Sequence, residues 1–218
     1  MTILNVLKRL LTGNTANKKL NFKFALVFFL SLTSGCEQTP ETTEKLMAAP
    51  PPNWNLIYQI NSFESRISDY VPSNEENDNW VSRISFESFR NFGEADPIDV
   101  TLGEIEIDNG SCNFVQHFNL YSGFENNYPV SLRLSMCGRH SISDRGEVKM
   151  IKAIRGDDYF YVIRLVKRLD PFEVNEPEMS KSEIAAWSSY MKKIIVCNTA
   201  KSRHPCPGTE ATGESDDI

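Results

Sequence analysis

The chain is poor in the residue patterns that mark catalytic sites. It contains only three histidines, His117, His140 and His204, and they are far apart along the sequence. No G-x-S-x-G sequence surrounds a serine, so the usual setting of a serine nucleophile is missing. Its glycines do not form a loop that could cradle a phosphate. These absences argue against a hydrolase or a nucleotide-binding enzyme, and we expect a protein without a cofactor.

The N-terminal apolar run is too short to span a bilayer as a helix. Phe24–Leu32 falls well below the ~20 residues that a spanning helix needs. No acidic residue occurs before Glu37, whereas five basic residues precede the apolar run: Lys8, Arg9, Lys18, Lys19 and Lys23. A basic region followed by a short apolar core is typical of an export signal that is removed, and it predicts that residues 1–35 are a signal peptide.

Small residues and a cysteine follow the apolar core. The sequence Leu32-Thr33-Ser34-Gly35-Cys36 resembles the lipobox of bacterial lipoproteins. The resemblance implies cleavage before Cys36, a diacylglycerol on its thiol and a further acyl chain, such as palmitate, on its amino group. Glu37 follows where an aspartate would favour retention in the inner membrane, so the resemblance implies the outer membrane, on its periplasmic face. The alternatives are an ordinary secretory signal with an incidental cysteine, or an uncleaved short anchor.

The chain after the signal is short of positive charge. Residues 36–218 carry 18 basic and 29 acidic residues, a net charge of −11. Such a balance disfavours binding to nucleic acid and to anionic lipid headgroups. The partners that we expect are therefore the bilayer, through acylated Cys36, and another protein of the cell envelope.

Composition divides the mature chain into three parts. Residues 36–53 hold few large apolar residues and end in Pro50-Pro51-Pro52, which predicts a disordered, extended tether. Residues 54–206 are long enough for a single globular domain. The polar, acidic residues 207–218 predict a disordered tail.

Two hairpins are predicted in the second half of this domain. Every second residue from Val130 to Met136 is apolar, which is typical of a strand with one buried face. In the second hairpin, a turn at Gly156-Asp157-Asp158 joins the two strands. Its return strand is apolar on both faces, which predicts a central position in the sheet. The four strands are expected at 113–121, 130–137, 147–154 and 159–167.

The first half of the domain is less clear. Strand-forming residues predict strands at 54–60 and 81–89. Between them, the apolar residues from Phe63 to Val71 fit either a helix or a twisted strand that ends at Pro72.

Two helices are predicted to cover the sheet. Asp96-Pro97 has the form of an N-cap followed by a proline, and apolar residues then recur at helical spacing. Ser180 and Glu183 form a capping box before a stronger apolar pattern. Together these elements predict an α+β fold, in which an antiparallel sheet of five to seven strands is packed by the C-terminal helix and by a second helix on its other face. Their order resembles the PsbP/Mog1-like sandwich, a likeness of fold alone.

Four cysteines remain besides Cys36: Cys112, Cys137, Cys197 and Cys206. An even number in an oxidising compartment predicts two disulfides, for which three connectivities are possible. Proximity in sequence favours the pairs 112–137 and 197–206. The alternative, a metal site formed by Cys197, His204 and Cys206, does not match the spacing of known zinc sites. We therefore expect no metal.

Other candidate features have simpler explanations. Glu104, Glu106 and Asp108 alternate with apolar residues and predict a solvated face, not a pair of catalytic carboxylates. Arg155-Gly156-Asp157 spells an adhesion tripeptide, but a hairpin turn accounts for Gly156 and Asp157.

Three classes of function remain open. The first is an envelope lipoprotein that binds another protein and has no enzymatic activity. The second is a carrier of a small apolar ligand between sheet and helix, suggested by Phe114, Phe118, Tyr159 and Tyr161. The third is a hydrolase or other enzyme with an unrecognised site. We favour the first class because of the anchor, the tether and the absence of a catalytic constellation. The body of the chain, with Trp80, the Lys149–Lys167 hairpin and the closing HPCP, resembles an uncharacterised bacterial lipoprotein.

Overall fold

The computed structural model describes residues 43–90, 92, 94–174 and 179–208. The predicted signal peptide, Cys36 and residues 209–218 of the predicted tail lie outside the described residues. Among those described, no helix is both long and apolar enough to cross a bilayer. The elements in chain order are β1 (Glu44–Met47), β2 (Trp54–Asn61), β3 (Ser65–Pro72), β4 (Ser82–Arg90), α1 (Pro97–Asn109), β5 (Val115–Glu125), β6 (Tyr128–Cys137), β7 (Gly146–Arg155), β8 (Tyr159–Leu169), α2 (Lys181–Lys193) and β9 (Ile195–Asn198).

The fold is α+β, as the sequence predicts. Seven strands form one antiparallel sheet in the order β2-β3-β4-β8-β7-β6-β5, and β1 pairs with β9 in a separate two-stranded sheet. The ambiguous segment after Phe63 is strand β3, which ends at Pro72. Both predicted hairpins are present, and β8 lies at the centre of the sheet.

The hairpin between β5 and β6 is longer than predicted. The strands predicted at 113–121 and 130–137 leave residues 122–129 for the loop, but β5 continues to Glu125 and β6 begins at Tyr128. Asn126 and Asn127, with φ of 48° and 63°, form the two-residue turn. Asparagine tolerates this left-handed conformation, which matches the twist of the two strands.

Both predicted helix starts are confirmed. The side chain of Asp96 accepts a hydrogen bond from the backbone N–H of Ile98, with Pro97 in the first turn of α1. Ser180 and Glu183 form the reciprocal capping box of α2. Each cap satisfies backbone donors that a helix N-terminus otherwise leaves without partners.

The two helices cover opposite faces of the sheet. Ile184, Trp187 and Tyr190 of α2 pack against the main apolar core, to which β6, β7 and β8 contribute most of the buried side chains. The helix α1 lies against β5, β6 and β7 on the other face. We call these the α2 face and the α1 face. Because α1 packs on the half of the sheet that contains β5, β6 and β7, it does not cover β2 and β3.

Part of the segment predicted to be a disordered tether is a strand. Residues 44–47, which belong to the segment predicted to be disordered, form β1 and pair with Ile195–Asn198. Composition misses this strand because four residues are too few for a periodic pattern, and its partner lies about 150 residues away along the chain. The described fold therefore includes a strand about ten residues before the predicted boundary at Trp54.

Candidate functional sites

The most highly organised polar contact holds the carboxylate of Glu44. This side chain is 3% exposed. It accepts hydrogen bonds from the backbone N–H groups of Asp157 at 2.6 Å, Asp158 at 3.3 Å and Tyr159 at 3.2 Å, and from the Tyr161 hydroxyl at 3.0 Å. We call this arrangement the Glu44 clamp. Successive N–H groups in a turn form a concave site for an anion, and here the anion is supplied by β1 of the same chain.

The turn between β7 and β8 is shaped to receive this carboxylate. A Cβ atom on Gly156 would collide with Glu44 Oε1, so any other residue there would displace the clamp. Burial, followed by the charge of Glu44, raises the pKa of Tyr161. The same two causes raise the pKa of Tyr128. Both phenols therefore stay protonated at neutral pH, and the hydroxyl of Tyr161 remains a donor to the carboxylate.

Two further contacts hold the segment around β1. The carbonyl oxygen of Thr43 accepts a hydrogen bond from the backbone N–H of Thr199 at 3.0 Å. The hydroxyl of Tyr190 donates to the carbonyl of Ala49 at 2.5 Å, and burial raises the pKa of this tyrosine to about 12. The segment from Thr43 to Ala49 is thus fastened to the turn of the β7–β8 hairpin, to β9 and to α2.

A second polar cluster lies between α1 and the sheet. Arg164 of β8 binds Glu104 of α1 through two hydrogen bonds of 2.8 and 3.1 Å, and it also forms an ion pair with Glu87 of β4. Burial raises the pKa of Glu87. Burial also opposes ionisation of Glu104, but the hydrogen bonds and charge of Arg164 outweigh it and lower the pKa. A single guanidinium therefore joins α1 to two strands.

The C-terminal half of α1 adds a third ion pair to this cluster. Asp108 is bound by Lys149 at 2.7 Å and by the hydroxyl of Ser135 at 3.2 Å. The solvated face predicted for α1 is therefore wrong at Glu104 and Asp108, although Glu106 is exposed. The prediction failed because the cations that neutralise these carboxylates come from distant strands.

The polar residues that alternate along β6 are also buried. Ser131 bonds to Thr101 at 2.9 Å, and Arg133 donates to the same threonine at 3.1 Å. The sequence predicts a strand with one buried face, but α1 covers the other face as well. Because these polar groups find partners on α1, their burial is tolerated. The cluster attaches α1 to the sheet, and its carboxylates are paired with the side chains of Arg164 and Lys149.

A lysine lies inside the α2 face. The side chain of Lys152 is fully buried, and its ammonium donates to the carbonyls of Met191 at 2.9 Å and Ile194 at 2.7 Å and to Glu125 at 2.5 Å. These carbonyls belong to the C-terminal end of α2, where the helix dipole favours a cation. Burial lowers the pKa of Lys152, and Glu125 acts against this shift.

The cysteines form two disulfides, Cys112–Cys137 and Cys197–Cys206, the pairs that sequence proximity favours. Cys112 lies before β5, in an isolated bridge with His140, and Cys137 is the last residue of β6. With Cys197 and Cys206 paired, no thiolate is present beside His204 to bind a metal. Among the described residues, no three His, Cys, Asp or Glu side chains are grouped so that they could hold a metal ion.

His204 is buried within the disulfide-closed loop. Its ring stacks on Tyr128 at 3.9 Å between centroids, and Nδ1 lies 2.7 Å from the carbonyl oxygen of Asn126. Asp157 contacts Lys201 at 2.9 Å and Arg203 at 3.6 Å, and despite partial burial these cations lower its pKa. The Asp157 carboxylate, the acidic group of the adhesion tripeptide, is therefore already paired within the fold.

The other sequence candidates are not brought together. His117 is exposed on β5, and His140 lies in the loop between β6 and β7. Of the four aromatic residues that suggest a ligand carrier, Phe114 packs on Phe172, and the rings of Tyr159 and Tyr161 belong to the core. Phe118 is exposed. A pocket of about 210 Å³ opens at the surface beside Phe92 and the 156–158 turn.

The outer strand β2 presents exposed apolar side chains. Tyr58 and Ile60 are 49% and 36% exposed, and both lie on the α1 face where that helix does not reach. Ile60 is directly opposite the half-buried Ile67 of β3. We call Tyr58, Ile60 and Ile67 the edge patch. Sequence analysis missed it because apolar residues in a strand are expected to be core, and only the sheet order shows that β2 lies at an edge.

Comparison with protein-family models finds no match, and neither does comparison with curated proteins.

Proposed function

We propose that the protein is a lipid-anchored bacterial envelope protein that binds another envelope protein through the outer edge of β2. The lipobox-like sequence ending at Cys36 supports the anchor, and the edge patch supports the binding role. The single observation that carries the binding proposal is the exposure of Tyr58 and Ile60 on an edge strand. The occupant of this edge is an extended segment of the partner, added as an eighth strand.

The chemistry of β2 suits this role. An edge strand offers unpaired backbone groups, and proteins usually protect it with charged residues or proline. Trp54–Asn61, with the sequence WNLIYQIN, contains neither. A partner strand would gain backbone hydrogen bonds from β2 and apolar contact from the edge patch.

The opposite edge, β5, is the natural comparison. It also exposes aromatic residues, Phe118 and Phe124. A bulge between Asn119 and Tyr121 shifts the alternation, so that Phe118 lies on the α2 face and Phe124 on the α1 face. These rings cannot form one continuous patch, whereas Tyr58 and Ile60 lie side by side.

The test is site-specific photo-crosslinking in living bacteria that produce the intact lipoprotein. A benzoyl-phenylalanine at position 58 should form an adduct with one envelope protein, identified by mass spectrometry, with the attachment point in an extended segment. The same probe at position 118, where the native side chain is 47% exposed, serves as the matched control. Ile60→Ser should reduce the adduct at position 58 about tenfold, since a large apolar contact contributes ~1.5–3 kcal/mol.

Two outcomes would contradict the binding proposal. One is the absence of any adduct at position 58 under conditions that crosslink a known envelope complex. The other is equal labelling at positions 58 and 118, which would indicate contact by random collision. Specific labelling at position 118 alone would move the binding site to β5.

A further inference from the structure

The clamped segment β1 is the first described element of the chain after Cys36. The pairings Asn61–Arg66, Arg90–Tyr159, Arg155–Phe160 and Glu125–Tyr128 place three turns at one end of the sheet: 62–64, 126–127 and 156–158. The Glu44 clamp lies at the last of these turns. We call this the clamp end. The opposite end carries the 138–145 loop, about 30 Å away along the ten residues of β7.

The length of chain before β1 limits the distance to the anchor. Thr43 is seven residues after Cys36. Whatever its conformation, a chain of this length spans at most ~25 Å. If the domain began only at Trp54, the corresponding limit would be ~60 Å. Docking of β1 therefore keeps Thr43, beside the clamp, within ~25 Å of Cys36.

The clamp end also exposes three phenylalanines, one at or beside each of its three turns. Phe63 is 55% exposed, Phe124 is 69% exposed and Phe92 is 38% exposed. The guanidinium of Arg90 lies 4.2 Å from the centre of the Phe63 ring. Exposed aromatic rings with a neighbouring cation suit the boundary between lipid tails and headgroups.

We propose that the clamp end faces the bilayer, with Phe63, Phe92 and Phe124 in contact with the lipid headgroup region. This orientation rests on the lipid anchor of the proposed function. Its evidence is independent of the edge patch, because β2 remains accessible from the side when this end of the sheet faces the membrane. The occupant of the surface is a lipid bilayer, which the acylated Cys36 would hold within reach of these rings.

The test compares two labelled positions in the full-length lipoprotein, reconstituted in vesicles of phosphatidylethanolamine and phosphatidylcholine, whose headgroups carry no net charge. Phe124→Cys and Ile142→Cys each receive an environment-sensitive fluorophore. Both native side chains are strongly exposed, at 69% and 82%, but they lie at opposite ends of the sheet. With the structural cysteines in disulfides and Cys36 acylated, the introduced thiol is the one that reacts. Nitroxide-labelled lipids should quench the fluorophore at position 124 several-fold more than that at position 142.

Equal quenching at the two positions, or stronger quenching at position 142, would overturn the proposed orientation. Phe63→Cys is a second clamp-end position, in case the label at position 124 disturbs the fold, and it should behave like position 124. Intact mass of the same sample separates the two proposals. An acylated chain with equal quenching removes the orientation alone, whereas an unacylated chain removes the anchor and the orientation together. Insertion of a Gly-Ser segment between Cys36 and Thr43 should reduce quenching at position 124.

Discussion

Loss of the Glu44 carboxylate should detach β1 from the rest of the protein. In Glu44→Ala, the backbone N–H groups of Asp157 and Tyr159 and the hydroxyl of Tyr161 lose a buried charged acceptor. Removal of one partner from a buried charged contact costs ~3–5 kcal/mol. Since water can enter once β1 moves, we expect the lower part of this range, about 3 kcal/mol. A protein of this size should then melt about 6–12 °C lower.

Lys45→Ala is the matched control for this prediction. Lys45 is exposed and occupies the next position of the same strand, so its loss should change the unfolding free energy by no more than ~0.5 kcal/mol. Urea denaturation measures the free energies, and amide hydrogen exchange locates the change. Exchange should accelerate at Asp157, Tyr159 and Thr199 in Glu44→Ala. Equal stability of the two variants, with these amides still protected, would refute the description of Glu44 as a clamp.

Three further perturbations test other parts of the structure. Lys152→Met should lower the free energy of unfolding by about 2–4 kcal/mol, because Glu125 and two carbonyls at the end of α2 lose their cation. The double variant with Glu125→Gln should recover part of this loss, as measured by urea denaturation. Contacts with Lys167 and Ser180 lower the pKa of Glu183 to about 2, so this carboxylate stabilises the protein only while it is ionised. Glu183→Gln should therefore lower stability at pH 7. In a series of thermal melts, the difference from the unaltered protein should vanish as the pH falls from 4.5 to about 2. Replacement of both Cys197 and Cys206 by serine should cost about 2–3 kcal/mol by the loop-entropy estimate, and a loss below ~0.5 kcal/mol would show that the disulfide does not constrain the unfolded chain.

Most of the fold could be predicted from local sequence patterns. The alternation along β6 and β8 indicates strands, the capping box at Ser180 starts α2, and Asp96-Pro97 starts α1. These signals come from neighbouring residues, so no knowledge of the tertiary structure is needed to see them. The short strand β1 has no such signal, because its pairing with β9 and the Glu44 clamp depends on residues more than a hundred positions away.

The polar contacts could not be predicted for a similar reason. A carboxylate on α1, such as Glu104, has the same sequence signature whether it meets solvent or the guanidinium of Arg164. Likewise, Tyr58 and Ile60 look like core residues until the sheet order places β2 at an edge. The sequence pattern therefore does not show which strands are neighbours in the sheet or which side chains meet.

Intact mass tests the lipid anchor. It is measured on the protein recovered from bacterial membranes, beside a Cys36→Ser variant. We expect a mature chain that begins at Cys36 and carries a diacylglycerol with an additional acyl chain. We also expect a gain of four hydrogen atoms on reduction, two for each disulfide. An uncleaved chain, or a mature chain without lipid, would contradict the anchor on which the proposed location and membrane orientation depend.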